Sequence, residues 1–311
     1  MTLPTHRRSC EGRVAVVTGA GAGLGRAHAL GLAAAGAKVV VNDIGGALDG
    51  TGASAGPAQS VVDEIVAAGG EAVANTDDIS TMQGSGALIQ QAVDTFGAID
   101  VVVNNAGILR DRMVFSLSEA EWDAVIAVHL KGTFGTVHHA AKFWRSRAKA
   151  GENNDARVIN TSSTSGLFGS VGQTNYGAAK AGIAAFTIIA SMELAQYGVT
   201  VNAIAPTAMT RMSEQTPGIH QLAASRDVTP ESVSPVVVWL AGPASKDVTG
   251  RVFAVIGGTV AVLEGWVYGP EAQTDTRWTV EELDGVLPDL VARAAPNADI
   301  YGKRPGFVAQ S

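Results

Sequence analysis

The 311-residue chain sets 22 Lys and Arg against 29 Asp and Glu, a net charge of −7, and is 46% hydrophobic. That balance excludes the basic surface a nucleic-acid partner needs, and the single cysteine, Cys10, excludes an internal disulfide or a cysteine-built zinc site. No continuous apolar run approaches the roughly 18 residues of a membrane span, and the length suits one α/β domain of about 250 residues with extensions.

Residues 1–12 read as a polar leader; Arg7 and Arg8 are not followed by a secretory apolar core. From Arg13 onward short β-branched runs alternate with helical patterns. The expected strands are Val14–Thr18, Lys38–Asn42, 71–76, 101–103, 158–161, 200–205 and Val252–Ile256. Helices are expected over 24–35, 59–68, 86–96, 119–149 and 176–197. Near-continuous apolar strands separated by helices predict a doubly wound parallel sheet, seven-stranded, covered on both faces. Its ligand would lie at the strands' carboxyl ends.

The first strand runs straight into Gly19, Gly23 and Gly25 and then a helix. Glycines there let the backbone turn tightly and approach a pyrophosphate at a helix N-terminus, where free N–H groups and the helix dipole attract anions. Asp43 closes the second strand, eighteen residues beyond Gly25. A carboxylate at that point accepts hydrogen bonds from the adenine ribose and repels a 2′-phosphate, which favours NAD over NADP. Residues 45–57 then form a long Gly-, Ala- and Ser-rich insertion. Within it Gly52-Ala53-Ser54-Ala55-Gly56 matches a nucleophile-elbow pattern but lacks the preceding strand, so a flexible insertion is expected.

Further along, Tyr176 and Lys180 stand one helical turn apart, with Ser163 thirteen residues before the tyrosine. A phenol with an ordinary pKa of about 10 is a poor acid or base near neutrality. A neighbouring ammonium and a cationic nicotinamide ring would favour the phenolate. A serine hydroxyl would hold the reacting oxygen. His28 and the pair His138-His139 lack metal partners at helical spacing, and no metal is expected. Arg110, Arg112, Arg145, Arg147 and Lys149 either steer an anionic substrate or are simply solvated. Residues 207–227, with Met209, Met212, Ile219 and Leu222, are a lid over an apolar substrate or a packed helical excursion. In the tail, Thr279-Val280-Glu281-Glu282 predicts a capping box opening an amphipathic helix that Pro288 would strain. The expected organisation is a leader (1–12), one catalytic domain (13–264) and a C-terminal extension (265–311).

Taken together, Thr18-Gly19-x-x-x-Gly23-x-Gly25, Asn104-Asn105-Ala106-Gly107, Ser163 and Tyr176-x-x-x-Lys180 resemble the short-chain dehydrogenase/reductase family over about residues 11–260. The resemblance implies a Rossmann-type fold and a nicotinamide cofactor, with Tyr176 as proton donor or acceptor. Lys180 would bind the nicotinamide ribose and acidify the phenol, and Ser163 would orient the substrate oxygen. It also implies cofactor contacts from Leu24, Asp78-Ile79, Asn105, Ala106, Gly107 and Pro206. Two departures stand out. His129 replaces the usual Asn of a proton relay, as either a relay member or a packed helix residue. Pro206-Thr207 replaces the usual Pro-Gly, and Thr210 lies one position early for a nicotinamide contact.

Three further segments are similar to the (3R)-hydroxyacyl-CoA dehydrogenase module of peroxisomal multifunctional β-oxidation enzymes and its stand-alone bacterial relatives. They are Val41-Asn42-Asp43-Ile44-Gly45-Gly46, Gly107-Ile108-Leu109-Arg110-Asp111-Arg112 and Val128-His129-Leu130-Lys131-Gly132. The expectation is an NAD-dependent oxidoreductase acting on a 3-hydroxyacyl-CoA of fatty or steroid-side-chain origin. A hydroxysteroid, general carbonyl or 3-oxoacyl reductase is the alternative, and a non-catalytic NAD-binding sensor a third reading. By the same resemblance the chain would form a homodimer or homotetramer, and with no peroxisomal address at its C-terminus a cytoplasmic protein without nucleic-acid or membrane partners is expected.

Overall fold

A computed structural model describes residues 9–46, 52, 54–210, 213–214 and 219–304. The expectations for Arg7, Arg8, Ala53, Met212, 47–51 and the last three residues lie outside them. The chain forms two compact units, Met1–Leu263 and Glu264–Ser311.

In the first unit the elements run β1 (Val14–Thr18), α1 (Gly23–Ala34), β2 (Lys38–Asn42), α2 (Gly56–Ala67), β3 (Glu71–Asn75), α3 (Met82–Phe96) and β4 (Val101–Asn104). They continue with α4 (Glu119–Ile126), a π-helical turn (Ala127–Lys131), α5 (Gly132–Lys149), β5 (Ala156–Thr161), α6 (Thr164–Phe168) and α7 (Thr174–Leu194). Last come β6 (Val199–Thr207), α8 (Ile219–Ser225), α9 (Pro230–Ala241), β7 (Val252–Ile256) and β8 (Thr259–Leu263). The sheet order is β3-β2-β1-β4-β5-β6-β7-β8. Seven strands are parallel, and β8 turns back antiparallel on β7.

The seven-stranded expectation is therefore corrected to a mixed sheet of eight strands. The hairpin turns at Gly257-Gly258, with Gly257 at φ +55°. Two glycines between apolar runs are a strong hairpin signal. β8 feeds no crossover helix, so it lies outside the strand–helix alternation, and most of its side chains are exposed.

Valine-rich β1 and β4 are buried along their whole length because helices cover both faces of the sheet. On one face the core gathers Ala15, Val17, Leu32, Val39, Ile65 and Val237 under α1, α2 and α9. The other face places Val16, Leu88, Val102, Trp144 and Val158 under α3, α5 and α7. Trp144 satisfies its buried indole N–H on the Ile99 carbonyl at 2.7 Å.

The helix expected over 119–149 runs through without interruption, with a π turn at Ala127–Lys131 on which His129 is buried. The segment Thr174–Tyr197 has a mean hydropathy of 1.4 over 18 residues, long and apolar enough to cross a membrane by length and composition. That mean is reached with interspersed small and polar residues and without a continuous apolar stretch. Here it packs on β5 and β6 and buries Asn175, Lys180 and Thr187 among its inward residues.

Candidate active site

Strand order reverses between β1 and β4, so the crevice opens at their carboxyl ends. The first wall is the glycine loop. Gly19 and Gly23 have φ of +62° and +55°, which L side chains rarely adopt. A Cβ on Gly19 would meet the Ala106 Cα at 2.7 Å, and one on Gly25 would strike the Gly19 carbonyl. The N-cap of α1, Ala22, provides no side-chain cap. The first N–H groups of that helix therefore have neither an intrahelical nor a capping side-chain acceptor. Leu24 packs back into the core. A cradle of uncapped N–H groups walled by close backbone fits a pyrophosphate.

Asp43 closes this loop. Its two carboxylate oxygens accept from the Gly21 N–H at 2.8 Å and the Gly45 N–H at 2.7 Å. Each oxygen keeps a further lone pair for ribose hydroxyls. Asp78 is exposed beyond β3, whereas Ile79 is buried against Gly132 and its carbonyl accepts from the Ser85 hydroxyl at 2.9 Å.

Asn105 is held by Thr18. The Thr18 hydroxyl accepts from the Asn105 and Ala106 N–H groups at 3.0 and 3.1 Å, and the Asn105 amide donates to the Thr18 and Gly19 carbonyls. Gly107 is required because a Cβ there would run into the His129 ring. Pro206 lies within β6 beside Val255. The Thr210 methyl comes to 3.6 Å from where a Gly23 Cβ would stand, so the two departures after β6 still bring Thr210 to the glycine loop. In residues 207–227 the described part contains the short helix α8, with Ile219 buried.

The candidate acid–base residues are Ser163, Tyr176 and Lys180. Ser163 caps α6, its hydroxyl accepting from the Ser165 N–H at 3.2 Å. The half-buried Tyr176 ring begins α7, and its backbone N–H donates to the Asn175 side chain at 2.7 Å. Lys180 is buried, donates to the Thr161 carbonyl at 2.6 Å and sits 5.6 Å above the Tyr176 ring centroid.

Burial pushes the Tyr176 phenol above its ordinary 10. The hydrogen bond from Ser163 pulls it down by less, and Asp111 adds to the rise. The expected acidification by Lys180 is therefore not the net outcome among the protein's own groups. Burial also lowers that amine to about 7 and weakens its charge.

His129 is buried and lowered to about 3, mainly by burial and then by the Lys180 charge. Its Nε2 lies 3.0 Å from the Ile108 nitrogen and 2.8 Å from the Ile108 oxygen. The neutral ring can serve only one of them in a given tautomer. Nδ1 has no partner among the described residues, and the ring stands edge-on to Tyr176 at 5.2 Å.

Two features were not singled out from sequence. Thr161 acts through a main-chain carbonyl, which no motif marks. The other is the tie between the segment from Arg110, a strap over residues 110–115, and the start of α7. Arg112 bridges to Gln173, Gln173 donates to Asp111 at 2.8 Å, and the Asn175 amide donates to the Arg110 carbonyl at 3.0 Å. Asn175, directly before the tyrosine, was the available signal. Of the candidate steering cations, Arg112 pairs with Glu121 and Arg147 with Glu152.

Comparison with known proteins agrees with this geometry. Residues 13–217 match the family model described as short chain dehydrogenase. The chain is 46% identical over 302 residues to a hydroxyacyl-CoA dehydrogenase of Mycobacterium tuberculosis, covering 94% of this chain and 92% of that one. It is 43% identical to the mouse peroxisomal multifunctional enzyme type 2, over 81% of this chain but 33% of that longer protein. A crystal structure of a short chain dehydrogenase from Mycobacterium avium superposes with a TM-score of 0.84 at 55% identity, covering 95% of this chain and 100% of that one. With its glycine cradle and its serine, tyrosine and lysine at one crevice, the chain belongs to the short chain dehydrogenase family, enzymes that move hydride to or from a nicotinamide dinucleotide.

Proposed function

We propose that this enzyme oxidises the hydroxyl of a 3-hydroxyacyl-CoA, of the (3R) hand, with NAD. The observation that carries the substrate is the near-full-length similarity to a hydroxyacyl-CoA dehydrogenase. The strap supports it. Phe115 is 82% exposed, Val171 88%, and Met113 and Val114 are exposed as well. Because Arg112 is bonded to Gly172 and Gln173, this apolar lip borders the start of the catalytic helix. A large apolar patch beside an active site suits an acyl or steroid side chain.

In the oxidative direction Tyr176 takes the hydroxyl proton, and Ser163 donates to and holds the same oxygen. Lys180, fixed by Thr161, places a titratable ammonium beneath the phenol. Gly19, Gly23, Gly25, Asp43 and Asn105 would hold the dinucleotide, with Thr210 beside the loop. The bound nicotinamide supplies the hydride acceptor. His129, bonded to Ile108, keeps the Asn105–Ile108 turn in place. A pair or tetramer of chains is part of the same proposal.

Asp43 supports NAD over NADP. We expect kcat/KM to favour NAD by at least about tenfold, equivalent to roughly 1.4 kcal/mol, and Asp43→Ala to narrow that ratio. Preference of the unaltered enzyme for NADP would reject this part of the reading.

Substrate choice is checked with matched pairs. A (3R)-hydroxyacyl-CoA should be oxidised with much higher kcat/KM than its free acid, because binding the CoA portion positions the reacting carbon. The (3S) isomer should react poorly. Phe115→Ser and Val171→Ser should lower kcat/KM for long-chain or steroid-side-chain thioesters and spare a four-carbon thioester. Equal rates on the free acid or a plain hydroxysteroid favour a general carbonyl reductase instead.

A further inference from the structure

The second unit carries the least protected apolar surface of the described residues. Trp266 and Tyr268 are fully exposed, and Val267 is nearly so. After them comes α10 (Val280–Arg293), opened by the expected capping box between Thr279 and Glu282. The helix buries none of its residues, and Val280, Leu287 and Val291 form an exposed stripe at helical spacing. Isolated helices of ~12–15 residues are marginal in water. Gly285 and Pro288 inside this one weaken it further. Such a helix depends on having its apolar stripe covered.

We propose that residues 264–304 are an arm that docks on a second copy of this chain through Trp266, Tyr268 and the Val280–Leu287–Val291 stripe. Two observations select that occupant. The first is area: two exposed aromatics at about 150–250 Å² each, with the exposed valines, leucine and Tyr301, amount to on the order of 800 Å², what one partner contributes to a standard interface. Reciprocal docking of two arms about a twofold axis doubles it. The second is the company the arm keeps. The matches to the Mycobacterium tuberculosis and Mycobacterium avium proteins cover 94% and 95% of this chain, too much to omit the unit Glu264–Ser311, and nearly all of each relative. The arm therefore accompanies short stand-alone chains and is not a connector to a fused domain there.

The test places a photoreactive benzoylphenylalanine at position 268 in the full chain and irradiates the purified protein at micromolar concentration. An arm docked on a second copy gives a product at twice the 31.7 kDa chain mass on a denaturing gel. A product at the single-chain mass, or no cross-link, overturns the proposal. Sedimentation provides an independent arm. Trp266→Ser combined with Val291→Glu should raise the concentration of half-dissociation at least tenfold while the NAD-binding signal persists. Unchanged self-association in that variant also overturns it. Neither readout is activity, so failure here is separable from failure of the proposed substrate.

Discussion

Tyr176→Phe should lower kcat by at least roughly 10²–10⁴, the range of positioned acid–base catalysis, with NAD affinity little changed. The substitution removes one oxygen from a half-buried ring and leaves intact the Asn175 contact that fixes the start of α7. Only proton transfer and the Ser163 hydrogen bond are lost. Steady-state kinetics alongside NAD titration by fluorescence separates the two effects. Near-wild-type turnover in a folded, NAD-binding variant would falsify the assignment of the phenol as the proton-transfer group.

Acid should unfold the protein earlier than its carboxylates alone would require. His28 in α1 is fully buried, neither ring nitrogen has a partner among the described residues, and burial lowers it to about 3; His129 is lowered to about 3 as well. Both folded-state values lie below the unfolded value of about 6.5. The unfolded chain then binds more protons as pH falls, and stability present above about pH 6.5 is lost progressively towards pH 3. At pH 4.5 each histidine should account for about 2–3 kcal/mol of that loss, at 1.36 kcal/mol per unit. Denaturant melts at pH 7 and 4.5 check this. His28→Leu should shrink the difference between the two pH values, and an unchanged difference would assign the acid sensitivity to other groups.

The parallel core of the sheet was legible because its strands are valine runs bounded by helices, and the candidate site because Gly19, Gly23, Gly25, Asp43, Ser163, Tyr176 and Lys180 sit at fixed spacings. What escaped had different physical causes. β8 feeds no crossover helix, so its Gly257-Gly258 turn and short apolar run fall outside the alternation of strand and helix that marks the parallel strands. The π turn needs the same helical composition as an α-helix, and only the inward position of His129 reveals the extra residue. The net direction of the Tyr176 pKa depends on how deeply its oxygen is buried, which spacing cannot report. Thr161 contributes a carbonyl to Lys180, and a carbonyl leaves no mark in the residue alphabet.

The double grip of Asp43 on Gly21 and Gly45 has a consequence for anyone redesigning the coenzyme preference of this enzyme. The carboxylate proposed above to repel a 2′-phosphate is also the clasp holding the glycine loop to the segment after β2. An amide has one acceptor oxygen where the carboxylate has two, so Asn can keep only one of the two contacts and Ala keeps neither. A single exchange at position 43 therefore trades selectivity for loop order, weakening both coenzymes before it favours the larger one. A productive switch must first recreate the clasp with new acceptors near Gly21 and Gly45, and only then introduce a cation for the additional phosphate.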